Sequence, residues 1–426
     1  MTAPRLAVIG AGWAGLAAAV QACADGADVT VYEMAAQPGG RARALGPADR
    51  RLDNGQHILI GAYRDTLALM RQVGADPERL LLRSPLQLLY PDGSGLRLPA
   101  GPPALAFVRG VLAWPQQPWR ERLGLLAWAA RWRWQGFECP PSWTVRDLCA
   151  SVPPGLTRDF LDPLCVAALN TPAHQASAQV LLNVLKDALF SGPGSADLLL
   201  PRVPLSELLP DPAWAWLAAH GAQLHLGHRV QAIAPEGAGW RVDGQFHDRV
   251  VLAAPAAESA RLVAPWHPGW AAQAGTPVYQ AIVTVWLQAP GARWPAPMLA
   301  LRSGPQSPAQ FGFDLGVLQG QADTFALVVS GAAEWVDRGL PACAEAVRAQ
   351  LAQAFAGRPG WPDPAQVSVL SVRAEKRATF ACTPGLQRPP ARILPGLVAA
   401  GDHVAGPYPA TLEGAVRSGL AALSQF

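Results

Sequence analysis

The sequence predicts an α/β protein built around a parallel, Rossmann-like sheet. Three observations predict it. Near the N-terminus a short apolar strand (5–9) is followed by the turn Gly10-Ala11-Gly12-Trp13-Ala14-Gly15 and then by a helix-forming run (16–24). A second strand (28–32) ends at an acidic residue, Glu33, 23 residues beyond Gly10. Short apolar strands of the same kind return far along the chain, at 249–253 and 397–400.

Each element of the turn has a physical role. Gly10 permits the tight exit from the strand, Gly12 lets backbone approach a pyrophosphate, and Gly15 allows the helix to pack closely on the sheet. Trp13 and Ala14 belong to the same cradle, at the helix start, where free N–H groups and a partial positive charge face the phosphates. Glu33 is placed to accept hydrogen bonds from the ribose hydroxyls of an adenosine. The run Gln37-Pro38-Gly39-Gly40-Arg41-Ala42-Arg43 then distinguishes an FAD site from an NAD site. Paired glycines bring the chain close to a ligand, and Arg41 and Arg43 are suited to neutralising its diphosphate. Taken alone, the run also reads as an ordinary Pro-Gly turn.

Composition narrows the class. Half of the 426 residues are hydrophobic and 15% are charged, as in a globular protein. A net charge of +3 gives no basic stripe, so no nucleic-acid partner is expected. Lysine occurs only at Lys186 and Lys376, a compositional bias without functional meaning. The six cysteines form no CxxC pair and no zinc spacing; reduced buried thiols and no metal are expected. The N-terminal apolar stretch reads as strand and helix, not as a leader, and no run of 18 uncharged apolar residues exists. The expectation is a cytoplasmic protein.

Stretches 227–233, 239–242 and 249–253 read as strands, and 397–400 as a strand leading into Gly401-Asp402, a Pro-rich turn and a helix start at 411–419. Residues 102–137 interleave Trp114, Trp119, Trp128, Trp132 and Trp134 with Arg109, Arg120, Arg122, Arg131 and Arg133. Such a mixture suits peripheral contact at the cytoplasmic membrane face. It equally suits a helix pair with an aromatic core.

The order of strand, Gly401-Asp402, turn and glycine-containing helix resembles the flavin-closing segment of the amine oxidase and phytoene desaturase superfamily. The resemblance implies an amine-oxidase-like fold with bound FAD. By it Gly401 and Asp402 serve the ribityl or phosphate region, and backbone at Ala410, Thr411 and Leu412 meets the isoalloxazine. The same resemblance implies that backbone near Val230 touches adenine. It further implies a discontinuous Rossmann-like FAD domain (1–62, 200–260, 390–426) and an inserted α+β substrate domain (63–199, 261–389). More narrowly, the segments Leu52-Asp53-Asn54-Gly55-Gln56-His57, Glu375 to Pro384 and Pro409 to Gly419 look like the squalene-associated FAD-dependent desaturases, over essentially the whole chain. That family's activity is hydroxysqualene dehydroxylation, a reductive step giving squalene, usually for hopanoid synthesis. The resemblance thus implies a long isoprenoid substrate and hydride delivery by reduced flavin. With only one dinucleotide cradle in the sequence, a separate reductant is expected.

Loss of an allylic hydroxyl calls for a proton donor. His57, Tyr408 and Asp53 are the candidates. Each also has a plain structural reading: His57 fixing a turn, Tyr408 packing a loop, Asp53 capping the Asp-Asn-Gly turn. Glu375 and Lys376 read either as lining of the substrate cavity or as a structural pair, and Cys382 as core. An oxidative desaturase or flavin amine oxidase would use the same framework in the other direction. A non-catalytic escort protein, similar to the GDP-dissociation inhibitors, is opposed by the intact glycine turn, Glu33, the Gly39-Gly40 pair and Asp402.

Overall fold

The computed structural model describes residues 3–46, 51–358 and 360–426, and in it the chain enters one sheet three times. It begins with β1 (Arg5–Ile9), α1 (Trp13–Ala24) and β2 (Asp28–Tyr32). A first excursion carries α2 (Pro103–Leu112), α3 (Trp119–Trp134) and α4 (Ala178–Phe190). Strands β3 (Gln223–His225) and β4 (Arg249–Leu252) bring the chain back. The second excursion builds a sheet from β5 (Tyr279–Gln288), β6 (Met298–Ala300), β7 (Phe311–Asp314), β8 (Thr324–Ser330) and β9 (Ser368–Phe380). The last return supplies β10 (Arg392–Leu394), β11 (Leu397–Ala399) and α5 (Leu412–Ala422).

The first sheet runs β3-β2-β1-β4-β11-β10 and is parallel except where β10 joins β11. Its central strands are covered on both faces, which is why Leu6 to Ile9 and Val29 to Tyr32 are all buried. Strand order reverses around β1, so a crevice opens beyond its C-terminal end, the usual ligand position in such sheets. The second sheet, β6-β7-β8-β5-β9, is antiparallel. This is the Rossmann-like α/β architecture expected from sequence.

Two glycines let helices close on this frame. A Cβ on Gly15 would lie 1.9 Å from the Gly10 carbonyl oxygen, and one on Gly419 would lie 2.1 Å from the Ala14 carbonyl oxygen. The first and last helices of the protein therefore touch backbone to backbone.

Stretch 227–233, expected as a strand, is a loop, with strand pairing starting only at Ile233. The Asp243 carboxylate accepts from the amides of Gln231 and Ala232 at 2.9 and 3.0 Å, and Gly227 and His228 donate to Ala35 and Glu33 carbonyls. Those bonds take the place of a ladder and tie the loop to the end of β2. The tryptophans of 102–137 divide between core and surface. Trp114, Trp128 and Trp132 are core, whereas Trp119 and Trp134 are exposed. All six cysteines are free, and burial raises the Cys382 thiol to about 11. Among the described residues no helix is long and apolar enough to cross a membrane, and no side-chain cluster could hold a metal.

Gly15→Ala and Gly419→Ala should each destabilise the protein by about 3 kcal/mol or more, because the methyl meets backbone that cannot yield. Thermal unfolding checks this, and an unchanged Tm in either variant would contradict it.

Candidate cofactor and substrate site

The crevice beyond β1 is built by backbone. Gly10 has φ +107°, and its amide donates to the Tyr32 carbonyl at 2.7 Å, closing the turn onto β2. The Gly39 amide donates to the Ala11 carbonyl at 2.8 Å, and a Cβ on Gly40 would stand 3.1 Å from the Gly12 Cα. The glycine pair thus lies directly against the glycine turn, and the Trp13 indole fixes it by donating to the Ala42 carbonyl at 3.0 Å. A Cβ on Gly12 would meet only the Gly40 Cα, at 3.9 Å. Space is left over Gly12, at the N-terminus of α1, where anions are favoured.

Glu33 is buried, and its two oxygens accept from the amides of Ala11 and Ala35, both at 2.8 Å. It braces the turn while still lining the crevice. Val230 is buried beside it, its carbonyl held by the Arg261 guanidinium at 2.6 Å.

The crevice continues inward as one cavity of about 1080 Å³. Gly10, Gly12, Glu33, Gly39, Gly40, Arg41, Arg43, Val230, Gly401, Asp402, Ala410, Thr411 and Leu412 all line it, as do Trp13 and Ala14. The farther part is walled by side chains such as Phe107, Trp128, Trp132, Phe160, Leu164 and Leu185. Three buried polar atoms on the lining, Arg43 Nε, Gln56 Nε2 and His403 Nε2, have no partner among the described residues. An uncovered glycine turn at a helix start, with unpaired nitrogen groups around it, fits a dinucleotide.

At the inner end Arg41 and Asp402 meet. Arg41 Nη2 donates to both Asp402 oxygens at 2.6 Å, and Nη1 donates to the Ala378 and Arg377 carbonyls at 2.6 and 3.3 Å. Those carbonyls are presented by a bulge in β9, where register against β5 slips between Gln280 and Ile282. Burial alone would raise the Asp402 carboxyl, but the Arg41 guanidinium outweighs it and holds the group below the usual carboxylate range. Arg41, expected on a diphosphate, is thus occupied within the protein, whereas Arg43 keeps a free Nε.

The three proton-donor candidates do not share one environment. Asp53 is not on the cavity lining. It is buried, accepting from the Leu205 amide at 2.7 Å and from Gln319 at 3.3 Å, and burial lifts its carboxyl to about 6. It ties remote segments together instead of capping its own turn or facing the cavity, and this corrects its expected place near the chemistry. Tyr408 lines the cavity, but its hydroxyl donates to Asp187 at 2.8 Å and is met by Arg417. His57 lines the cavity with Nδ1 3.2 Å from the Gly55 carbonyl. Burial, helped by nearby Arg41, lowers it to about 4, so the imidazole is neutral at pH 7 and Nε2 is a hydrogen-bond acceptor.

Sequence reasoning missed Tyr279, Tyr63, His403 and Glu413. Tyr279 lines the cavity at the start of β5. Burial, then Asp402, keeps its phenol above the ordinary value against the pull of Arg41 and Arg377. Glu413 is almost fully buried and accepts from Thr66 Oγ1, the Thr66 amide and Arg417 at 2.7, 2.9 and 2.8 Å. It locks α5 to the start of the helix Arg64–Gln72. Thr411 caps α5, its Oγ1 accepting from the Gly414 amide at 3.0 Å.

A dinucleotide cradle that opens into an apolar chamber, closed by a capped C-terminal helix, defines an FAD-dependent oxidoreductase. The chain belongs to the family of flavin containing amine oxidoreductases, which it matches over residues 13–422. It is 30% identical to the hydroxysqualene dehydroxylase of Rhodopseudomonas palustris, across 97% of this chain and 96% of that one. Over a shorter span, 21% of this chain and 19% of the relative, it is 44% identical to the hydroxyneurosporene desaturase of Rhodobacter capsulatus. An oxidoreductase from Methanosarcina mazei shares the fold, with TM-score 0.75 at 18% identity, over 99% of this chain and 100% of that one.

Gly12→Ala should fold with near-normal stability yet lose FAD affinity at least tenfold, since the methyl enters only the space above the turn. Fluorescence titration of the apoprotein checks this; undiminished affinity would contradict it. Because burial lowers the folded-state value of His57 to about 4 from 6.5, folding excludes its proton, and stability falls as pH drops through that window. His403, also lowered by burial to about 4, acts alike, whereas the raised Asp53 acts oppositely. His57→Gln should therefore flatten the decline of Tm between pH 6.5 and 4; an identical slope would refute the assignment.

Proposed function

We propose that the protein removes the allylic hydroxyl of hydroxysqualene reductively, giving squalene. The observation that carries this is the single cavity joining the dinucleotide cradle to a large apolar chamber, with few polar groups beyond the cofactor end. A flexible C30 chain needs such a chamber, and a small polar amine does not. The full-length likeness to a hydroxysqualene dehydroxylase supports the same substrate class.

In this reading the hydroxyl departs as water, with one proton supplied by the protein, and a carbon–hydrogen bond replaces the broken carbon–oxygen bond. Bound FAD in its reduced form supplies the hydride, and a separate reductant restores it. The chamber walls keep other water from the allylic cation, and the faces of Phe107, Trp128, Trp132 and Phe160 offer it quadrupolar stabilisation. His57, neutral at working pH, is suited to accept a hydrogen bond from the substrate hydroxyl and orient it, not to protonate it. Tyr408 has its proton committed to Asp187. The Tyr279 hydroxyl is protonated at neutral pH, faces the cavity and lies close to the Arg41–Asp402 pair, and we assign it the proton transfer. The accompanying expectation for location is the cytoplasm, at the membrane face.

The short, closer likeness to a carotenoid-type desaturase favours a second reading, oxidation of an isoprenoid by the same cavity. Anaerobic mixing separates the two. Photoreduced protein should be reoxidised by hydroxysqualene with formation of squalene, and Tyr279→Phe should slow this single turnover about 100-fold while retaining FAD. Bleaching of oxidised flavin by a saturated isoprenoid segment, with no squalene formed, would favour desaturation. An unslowed Tyr279→Phe variant would remove that residue from the mechanism.

A further inference from the structure

Helix α3 is apolar on two opposite sides, and only one of them is covered by protein. Leu125, Trp128 and Trp132 point into the core. Trp119, Leu123, Ala127, Ala130 and Trp134 are all exposed, Trp119 by 57%, Leu123 by 47% and Trp134 by 86%. At one residue per 100° these five fall within a sector of about 80°, facing away from the buried three. Arginines flank the sector on both sides, Arg120 and Arg131 along one edge and Arg122 and Arg133 along the other. Against five arginines, residues 102–137 hold one acid, Glu121. On an ordinary surface helix the solvent side is polar; here it is a tryptophan-bearing stripe between cationic rails.

The patch extends beyond α3. Of thirteen large hydrophobic side chains left exposed among the described residues, six are Leu105 and Val108 of α2, Trp119, Leu123 and Trp134 of α3, and Phe190 at the end of α4. Arg133 lies over the Phe190 ring, 5.1 Å from its centroid. Val108, Ala130, Arg133 and Phe190 line the large cavity as well as standing at the exposed surface, so the apolar chamber reaches the outside at this patch.

We propose that the outer faces of α2 and α3, with the end of α4, dock the protein on an anionic lipid leaflet, and that the substrate enters the chamber from that leaflet. The reading of substrate entry rests on the proposed isoprenoid substrate; the docking itself does not. Tryptophan rings settle at headgroup depth, arginines meet lipid phosphates while their stems stay apolar, and none of the described helices spans a bilayer. A protein partner or a second copy would be matched by shape and by acidic groups, whereas a leaflet matches an apolar stripe with cationic borders along its whole length. The chamber mouth also needs a hydrophobic medium on its far side to receive a water-insoluble chain.

The test uses FAD-loaded protein and vesicle flotation. Wild-type protein should float with vesicles of phosphatidylglycerol and phosphatidylcholine in equal parts, less so at high salt, and much less with phosphatidylcholine alone. The triple variant Trp119→Gln, Leu123→Gln, Trp134→Gln touches no cavity-lining residue. It should bind anionic vesicles at least tenfold more weakly, keep its flavin spectrum, turn over detergent-dispersed hydroxysqualene normally, and turn over vesicle-borne hydroxysqualene slowly. Failure of wild-type protein to float, or equal flotation of the variant, would overturn the docking surface. So would a wild-type dimer that the triple substitution converts to monomer. Normal flotation without squalene formation would instead retain the surface and reject the substrate.

Discussion

Three pieces of chain, remote in sequence, are held together by one guanidinium. Arg41 follows the glycine pair, Asp402 follows the last parallel strand, and the carbonyls of Arg377 and Ala378 come from the second sheet. The carboxylate is 10% exposed and the guanidinium side chain 39%, so the pair sits where it is shielded from bulk water yet still faces the cavity. Removing one member of a fully buried ion pair costs about 3–5 kcal/mol, and less where one partner is partly exposed as Arg41 is. The arrangement therefore specifies how the cradle, the closing helix and the substrate side meet, and it does so at the inner end of the site. The bulge in β9 exists in physical terms to turn two carbonyls toward Arg41, which a regular ladder would have used up in pairing with β5.

The cavity that the pair lines combines two chemistries. On the cradle side, backbone amides, a helix start and unpaired nitrogen atoms are suited to anions. Beyond it, rings and aliphatic chains leave little to hydrogen-bond, so the few polar groups present carry unusual weight. Burial lowers both His403, beside Asp402, and His57, near Arg41, to about 4, leaving Arg41 and Arg388 as the cations that face Asp402 at neutral pH. The closing helix is stiffened by its own buried acid, Glu413, and by the Thr411 cap, and it lies directly on α1 through Gly419.

What the sequence revealed was short-range. The first strand, turn, helix and second strand occupy the stretches that glycine spacing and apolar runs mark out, because those features depend only on neighbours. The capped helix after Asp402 was legible for the same reason. Asp53 was not: its acceptors are claimed by Leu205 and Gln319, 152 and 266 residues away. Glu413 was not singled out in the sequence, because its contact with Thr66 spans 347 residues and only the fold brings the two together. Stretch 227–233 carries strand-like composition but gives its amides to Asp243 and to the end of β2, a competition that no local pattern displays. Tyr279 stands at the start of an unremarkable apolar strand, and its interest arises only from what the chamber brings near it. In the tryptophan-rich segment, the sequence identified an ambiguous composition, and three-dimensional packing divided it between an inner core face and an outer bare one.

The most direct test of the account is the affinity of apoprotein for FAD in Asp402→Asn and Arg41→Met, measured by calorimetric titration alongside thermal unfolding. If the guanidinium junction organises the site, both variants should bind FAD at least tenfold more weakly, and each should lose about 2–3 kcal/mol of stability through the unpaired partner left behind. Wild-type affinity together with wild-type Tm in either variant would show that the junction is incidental, and that the cradle and the chamber are held in place by something else.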